Sequence, residues 1–91
     1  MTSAEAELAR RVGATLRRYR SDRRLTQEAV AELAGLSRVS VSYVENGHEA
    51  VGLGTFVALA RAVGAEPAEV LRLALEPADA RDLWVRAVLR G

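Results

Sequence analysis

Apolar residues recur along this chain at intervals of three and four, the spacing that gathers side chains on one face of an α-helix. Leu8, Val12, Leu16 and Tyr19 mark the first such face, on a helix running to about Ser21. Thr2 and Glu5 precede it as a capping box, each side chain positioned to bond the other's backbone N–H. After a short connection, Asp22 to Leu25, Thr26 caps a second helix over Gln27–Ala34, with Val30, Ala31 and Ala34 at helical spacing. Gly35 interrupts the pattern, Leu36 returns to the core, and Ser37 caps a third helix over Arg38–Asn46 whose inward residues are Val41 and Val44. A loop runs from Gly47 to Gly52. A fourth helix, about Leu53–Val63, turns Phe56, Leu59, Ala60 and Val63 inward and stops at Gly64. Pro67 suits the first turn of a fifth helix through Leu75, with Val70, Leu71 and Ala74 apolar. Pro77 separates a sixth, about Ala78–Leu89, carrying Leu83, Trp84, Ala87 and Val88. No stretch alternates as a strand does, so the expected class is all-α: one domain over residues 1–76, extended by a C-terminal helix over 77–91.

Two short helices joined through one glycine, the second with a polar and aromatic outer face, form a helix-turn-helix. Arg38, Val39, Ser42, Tyr43 and Asn46 make up that outer face. A helix so presented is built to enter the major groove of double-stranded DNA.

Composition narrows the alternatives. With 91 residues, 49% hydrophobic and 4% aromatic, the chain has one small core built mainly of Ala, Val and Leu. It has no Cys and one His, which excludes a thiolate metal site and disulfides. No phosphate-binding loop, paired nucleophile or carboxylate cluster is present, so neither an enzyme nor a bound cofactor is expected. No apolar run reaches membrane-spanning length, and the polar N-terminus does not resemble a secretory signal, so a cytoplasmic protein is expected. Net charge is only +1, but its distribution is uneven. Arg10, Arg11, Arg17, Arg18, Arg20, Arg23 and Arg24 crowd one segment, against Asp22 alone. Such a run is either a solvated helix face or, beside a helix-turn-helix, a surface for phosphate. Arg17 is the phosphate ligand expected from it.

The span from Val12 to Leu75 resembles the phage-repressor family of helix-turn-helix regulators (lambda repressor, Cro and the xenobiotic-response-element type). The resemblance rests on Thr26-Gln27, Ala31, Gly35, Ser37, Val41, Val44-Glu45-Asn46-Gly47, Leu53, Thr55, Leu59-Ala60 and Gly64. It implies five helices around one core, with the motif as the second and third. The chain departs from the family before the fourth helix, where Val51-Gly52 and Gly54 replace the usual Pro-Ser and acidic residue.

On the recognition helix, Arg38 is the expected base reader, because a guanidinium can bridge N7 and O6 of guanine; the alternative is a phosphate contact. Val39 suits a thymine methyl. Tyr43 either meets a base or phosphate or covers Leu36 or a neighbour. Ser42 is short enough for a base edge, and Ser40 and Asn46 for phosphate. The N–H groups at Gly52 and Leu53, at a helix N-terminus, form a second phosphate site, unless the glycines serve only to loosen the loop. The resemblance adds Gln27, matching a glutamine that holds phosphate and braces the recognition helix. It also adds Arg20 with Glu45, matching a partly buried ion pair. Leu33 falls where the family usually shows a polar residue, and an Arg stem of the first helix is its expected cover.

A homodimer on a two-fold symmetric operator is expected, since one helix-turn-helix reads few base pairs. Leu71 and Leu75 of the fifth helix, with Trp84 and Val88, are the expected interface. The competing arrangement folds the sixth helix back against Leu8 and Val12. The functional reading is a sequence-specific transcriptional regulator, a repressor or a restriction-system controller. The alternative is a protein-binding module such as an antitoxin that masks a toxin partner.

Overall fold

The computed structural model describes residues 1–76. The expected sixth helix, with Trp84 and Val88, lies outside the described residues. Five helices succeed one another: α1 Ser3–Asp22, α2 Gln27–Ala34, α3 Arg38–Glu45, α4 Leu53–Ala62 and α5 Pro67–Leu75. No strand occurs among the described residues. α1 packs on α3 and α5, and α2 packs on α3 and α4.

Local chemistry explains where the helices begin. Glu5 N donates to Thr2 Oγ1 at 3.1 Å and Thr2 N donates to Glu5 Oε1 at 3.3 Å, completing the expected box. Thr26 Oγ1 accepts from Ala29 N, and Ser37 Oγ accepts from Ser40 N. Each cap satisfies one of the N–H groups a helix start leaves unpaired, worth about 1 kcal/mol.

The ends share one device. Leu36 N donates to Ala31 O at 2.8 Å, and His48 N donates to Tyr43 O at 3.0 Å. Ala65 N reaches Ala60 O at 2.8 Å in the same way. These bonds close only when the preceding residue is left-handed, and Gly35 and Gly47 have φ of 71° and 68°. α1 ends identically, with Leu25 N on Arg20 O at 3.1 Å, but Arg24 is the left-handed residue, at φ 56°. Lacking a glycine there, the sequence hides this turn.

The core joins Val12 and Leu16 of α1, Val30 and Ala31 of α2, Val41 and Val44 of α3, Phe56, Leu59 and Ala60 of α4, and Val70 and Ala74 of α5. Val30, Val41, Val63 and Val70 are fully buried. Each such valine contributes about 1.5–3 kcal/mol by leaving water. Small side chains let α1 approach α3 until almost no space is left. A Cβ built on Gly13 would sit 2.1 Å from the Val44 carbonyl oxygen and 2.8 Å from that of Glu45. Gly13, which the apolar pattern passes over, is therefore the contact point of the two helices.

Three expectations change. Leu8 does not join the core; it is 38% exposed on the rim of a cleft. Leu33 is 65% exposed, so no Arg stem covers it. The basic run also serves the fold more than its spacing suggests. Arg10 and Arg11 pair with Glu7, Arg20 pairs with Glu45, and Arg23 donates to the Gly64 carbonyl at 2.9 Å with its guanidinium over the Tyr19 ring. Among the described residues, Arg17, Arg18 and Arg24 have no ion-pair partner.

Candidate nucleic-acid interface

α3 has two unlike sides. Val41, Val44 and Glu45 are buried, whereas Arg38, Val39, Tyr43 and Asn46 are exposed or partly so. Val39 at 49% and Tyr43 at 48% are unusually open for an apolar and an aromatic residue. A core helix would turn such residues inward, so this face is shaped for contact. The Tyr43 ring meets the exposed His48 ring edge-on, with centroids 5.6 Å apart. The turn that puts His48 N on Tyr43 O brings the two rings together. Nothing in the spacing along the chain signals this part for His48.

The buried side ends in a charged brace. Arg20 Nε donates to Glu45 Oε2 at 2.6 Å, and Arg20 Nη2 donates to Glu45 Oε1 at 3.0 Å. Arg20 Nη1 donates to Leu25 O at 2.7 Å, which also fixes the α1–α2 turn. Gln27 Nε2 gives Glu45 Oε1 a further bond at 3.0 Å. The two side chains of the ion pair are 15% and 5% exposed, so water screens it little. The Glu45 carboxylate holds the Arg20 guanidinium above its usual pKa, against the opposing effect of burial. Three elements thus converge on the last residue of α3: α1 through Arg20, α2 through Gln27, and the helix itself.

Gln27 also faces the outer residues. Its Oε1 lies 3.5 Å from Arg38 Nη1, and Arg38 Nε is 3.7 Å from Glu28 Oε1. A primary amide has two N–H donors. One goes to Glu45, so the other remains for a phosphate. Gln27 therefore braces α3 and has a donor left for the expected contact. Arg38 stands at the first turn of α3, half exposed, with its guanidinium drawn toward α2.

The smaller polar residues are engaged locally. Ser40 Oγ is 2.9 Å from Ser37 Oγ, inside the cap. Asn46 Nδ2 donates to Ser42 O at 2.9 Å and to Ser42 Oγ at 3.3 Å, closing the end of α3. Arg17 is exposed on α1. Gly52 is the N-cap of α4 with no side-chain bond to it, and a Cβ at Gly52 or Gly54 would meet open space. Leu53 is 80% exposed. Of the expected dimer residues that can be described, Leu71 is half-buried and lines the cleft beside Leu8, while Leu75 is 63% exposed.

A helix with an open reading face, bolted from behind by Arg20 of α1 and Gln27 of α2, defines the protein as a DNA-binding helix-turn-helix protein. More particularly, the chain belongs to the helix-turn-helix domain family, which matches residues 11–73. Among solved structures it is similar to the restriction-modification controller protein C.AhdI from Aeromonas hydrophila. That match has 39% identity and a TM-score of 0.65, covering 68% of this chain and 94% of that one. It is also similar to the clp gene regulator ClgR from Corynebacterium glutamicum. One ClgR structure matches at 33% identity and TM-score 0.70, covering 74% of this chain and 87% of that one. A second matches at 29% identity and TM-score 0.71, covering 91% and 83%. No curated protein matches the chain. The family resemblance carried by the sequence, and the all-helical fold it implies, are both met.

Proposed function

We propose that this chain is a sequence-specific transcriptional regulator that binds a two-fold symmetric operator as a homodimer, with α3 in the major groove. The observation that carries this reading is the contrast within α3 between the exposed Arg38, Val39 and Tyr43 and the braced Glu45. The brace fixes the pitch of the helix, and the open face offers a guanidinium, an apolar patch and a phenol to base edges. Gln27, Arg17 and the N–H groups at Gly52 and Leu53 position the domain on phosphates, while Asn46, its amide donors taken by Ser42, holds the end of α3. Its structural neighbours are a restriction-modification controller and a clp gene regulator. They share regulation and differ in what they regulate, so they support the class of activity rather than a target. The exposed end of α5 at Leu75 supplies an apolar point of contact for a second copy.

Selection from a pool of random duplexes tests this directly. An enriched, inverted-repeat site is expected. Its affinity should fall with salt, by about 0.9 in log K per unit of log salt for each phosphate neutralised. Failure to enrich any sequence at low salt would remove the regulator reading and favour a protein-binding module.

A further inference from the structure

Between the first half of α1, the start of α4 and the middle of α5 lies an apolar cleft of about 190 Å³. Leu8, Val12, Leu53, Phe56 and Leu71 line it, with Glu5 as its charged residue. DNA recognition has no use for an apolar cleft of this kind, and Leu8 and Leu53 stand 38% and 80% exposed around it.

Three observations identify the occupant. The first is where the chain goes. α5 ends at Leu75, and the carbonyl of Glu76 accepts from Arg11 Nη1 at 3.1 Å. Arg11 adjoins Val12, so the described chain reaches its last residue, Glu76, at the flank of the cleft. Pro77 follows the C-cap Glu76 and, having no N–H, has nothing to donate back to α5. The second is the apolar pattern beyond Pro77. Ala80, Leu83, Trp84, Ala87 and Val88 recur at helical spacing. The third is length. Residues 80 to 88 in helical form cover about 12 Å, and the α1 wall from Glu5 to Val12 covers about 10 Å.

We propose that the cleft is the seat of this chain's own residues 78–89, with Trp84 as its anchor. An indole supplies the large apolar surface such a cleft can bury. The tether decides between this segment and the same segment of a second copy. A short connection gives the attached segment an effective concentration in the millimolar range, above that of free protein at micromolar concentration. Seating it covers Leu8 and Leu53 and clamps α1, α4 and α5 together. Because Leu53 is also the first residue of α4, the seated segment steadies the helix start that Gly52 leaves without a side-chain cap.

Trp84 is the chain's sole tryptophan, so its fluorescence reports on the seat alone. In the full-length protein its emission should be blue-shifted and several-fold less quenched by acrylamide than free tryptophan. It should not change on dilution through the range where sedimentation shows monomer. Leu8→Asp, at an exposed rim position, should keep the helical spectrum and cooperative melt while moving Trp84 emission to the red and restoring quenching. Leu33→Asp, an exposed substitution on α2, should change neither signal and serves as the control. Solvent-exposed Trp84 in the wild type overturns the proposal. So does protection that disappears on dilution, which assigns the seat to a second copy, or protection that survives Leu8→Asp.

Discussion

Replacing Arg20 with Met leaves the Glu45 carboxylate where it is and removes its charge partner. Glu45 would lose both guanidinium bonds and keep only the one from Gln27, while Leu25 O would lose its donor as well. With the carboxylate side chain only 5% exposed, water cannot take over that role. Removing one partner of a buried ion pair costs about 3–5 kcal/mol, against about 0–1 kcal/mol for an exposed pair. A domain of this size has a total stability of roughly 4–11 kcal/mol, so the substitution removes a large share of it. The melting temperature should fall by roughly 15–30 °C. Urea unfolding followed by far-ultraviolet circular dichroism measures the loss. Arg20→Met with Glu45→Leu together should recover most of the stability, because the stranded charge is then gone. A loss below about 1 kcal/mol for the single variant, or a double variant no better than the single, would refute the account of a buried brace.

The same geometry sets other outcomes. Gly13→Ala should destabilise the fold by about 1–3 kcal/mol in the same urea assay, despite alanine's higher helix propensity, because the clash is with the backbone of α3. Arg38→Ala should cost about 1–3 kcal/mol on the selected operator and relax preference at one base pair per half-site; equal weakening on random DNA would make Arg38 a phosphate contact. Gln27→Ala should weaken all sequences alike and also lower stability by about 1 kcal/mol, since its amide bonds Glu45. The Arg72 guanidinium holds the Glu69 carboxyl below its ordinary value of 4.5. The folded value being lowered, that contact's contribution is present above the unfolded value and is lost as pH falls through the folded one. A titration by nuclear magnetic resonance should show the lowered midpoint, and Arg72→Ala should raise it.

Helix positions were legible because caps, glycines and apolar spacing agree from Thr2 to Leu75. The features that escaped involve partners distant in sequence. Gly13 is one glycine inside an apolar helical pattern, and only the approach of Val44 gives it a role. Arg24 takes a left-handed turn with no local signal, held by the bond from Leu25 N to Arg20 O. His48 reads as an exposed loop residue until the turn after α3 brings it to Tyr43. Leu8 fits the inward stripe of α1, but the cleft leaves that end of the stripe uncovered within residues 1–76. In the site, the residue types and the face of α3 were readable. That Gln27 touches both Glu45 and Arg38 was not, because neither contact is dictated by spacing along one helix.

The arginine run shows why a charge count and a binding surface differ. Seven arginines near the N-terminus suggest a broad phosphate-binding patch, yet Arg10, Arg11, Arg20 and Arg23 are engaged with Glu7, Glu45 and the Gly64 carbonyl. Arg38 is itself drawn toward Glu28. Among the described residues, the arginines of that run without an ion-pair or hydrogen-bond partner are a sparse set, Arg17, Arg18 and Arg24, on a chain whose net charge is +1. On the proposed reading, one domain then neutralises few phosphates and gains little affinity that is independent of sequence. Weak non-specific binding would make the base contacts proposed for Arg38, Val39 and Tyr43 count for more in discrimination. On the same reading, one domain alone holds an operator weakly, which is the reason two are proposed to act together. The exposed Leu75 at the end of α5 is then where the requirement can be tested. Leu75→Arg should leave the fold and the single-site preference intact, shift sedimentation toward monomer, and lower operator affinity with a steeper dependence on protein concentration. A variant that remains a dimer with unchanged affinity would place the contact between copies away from Leu75.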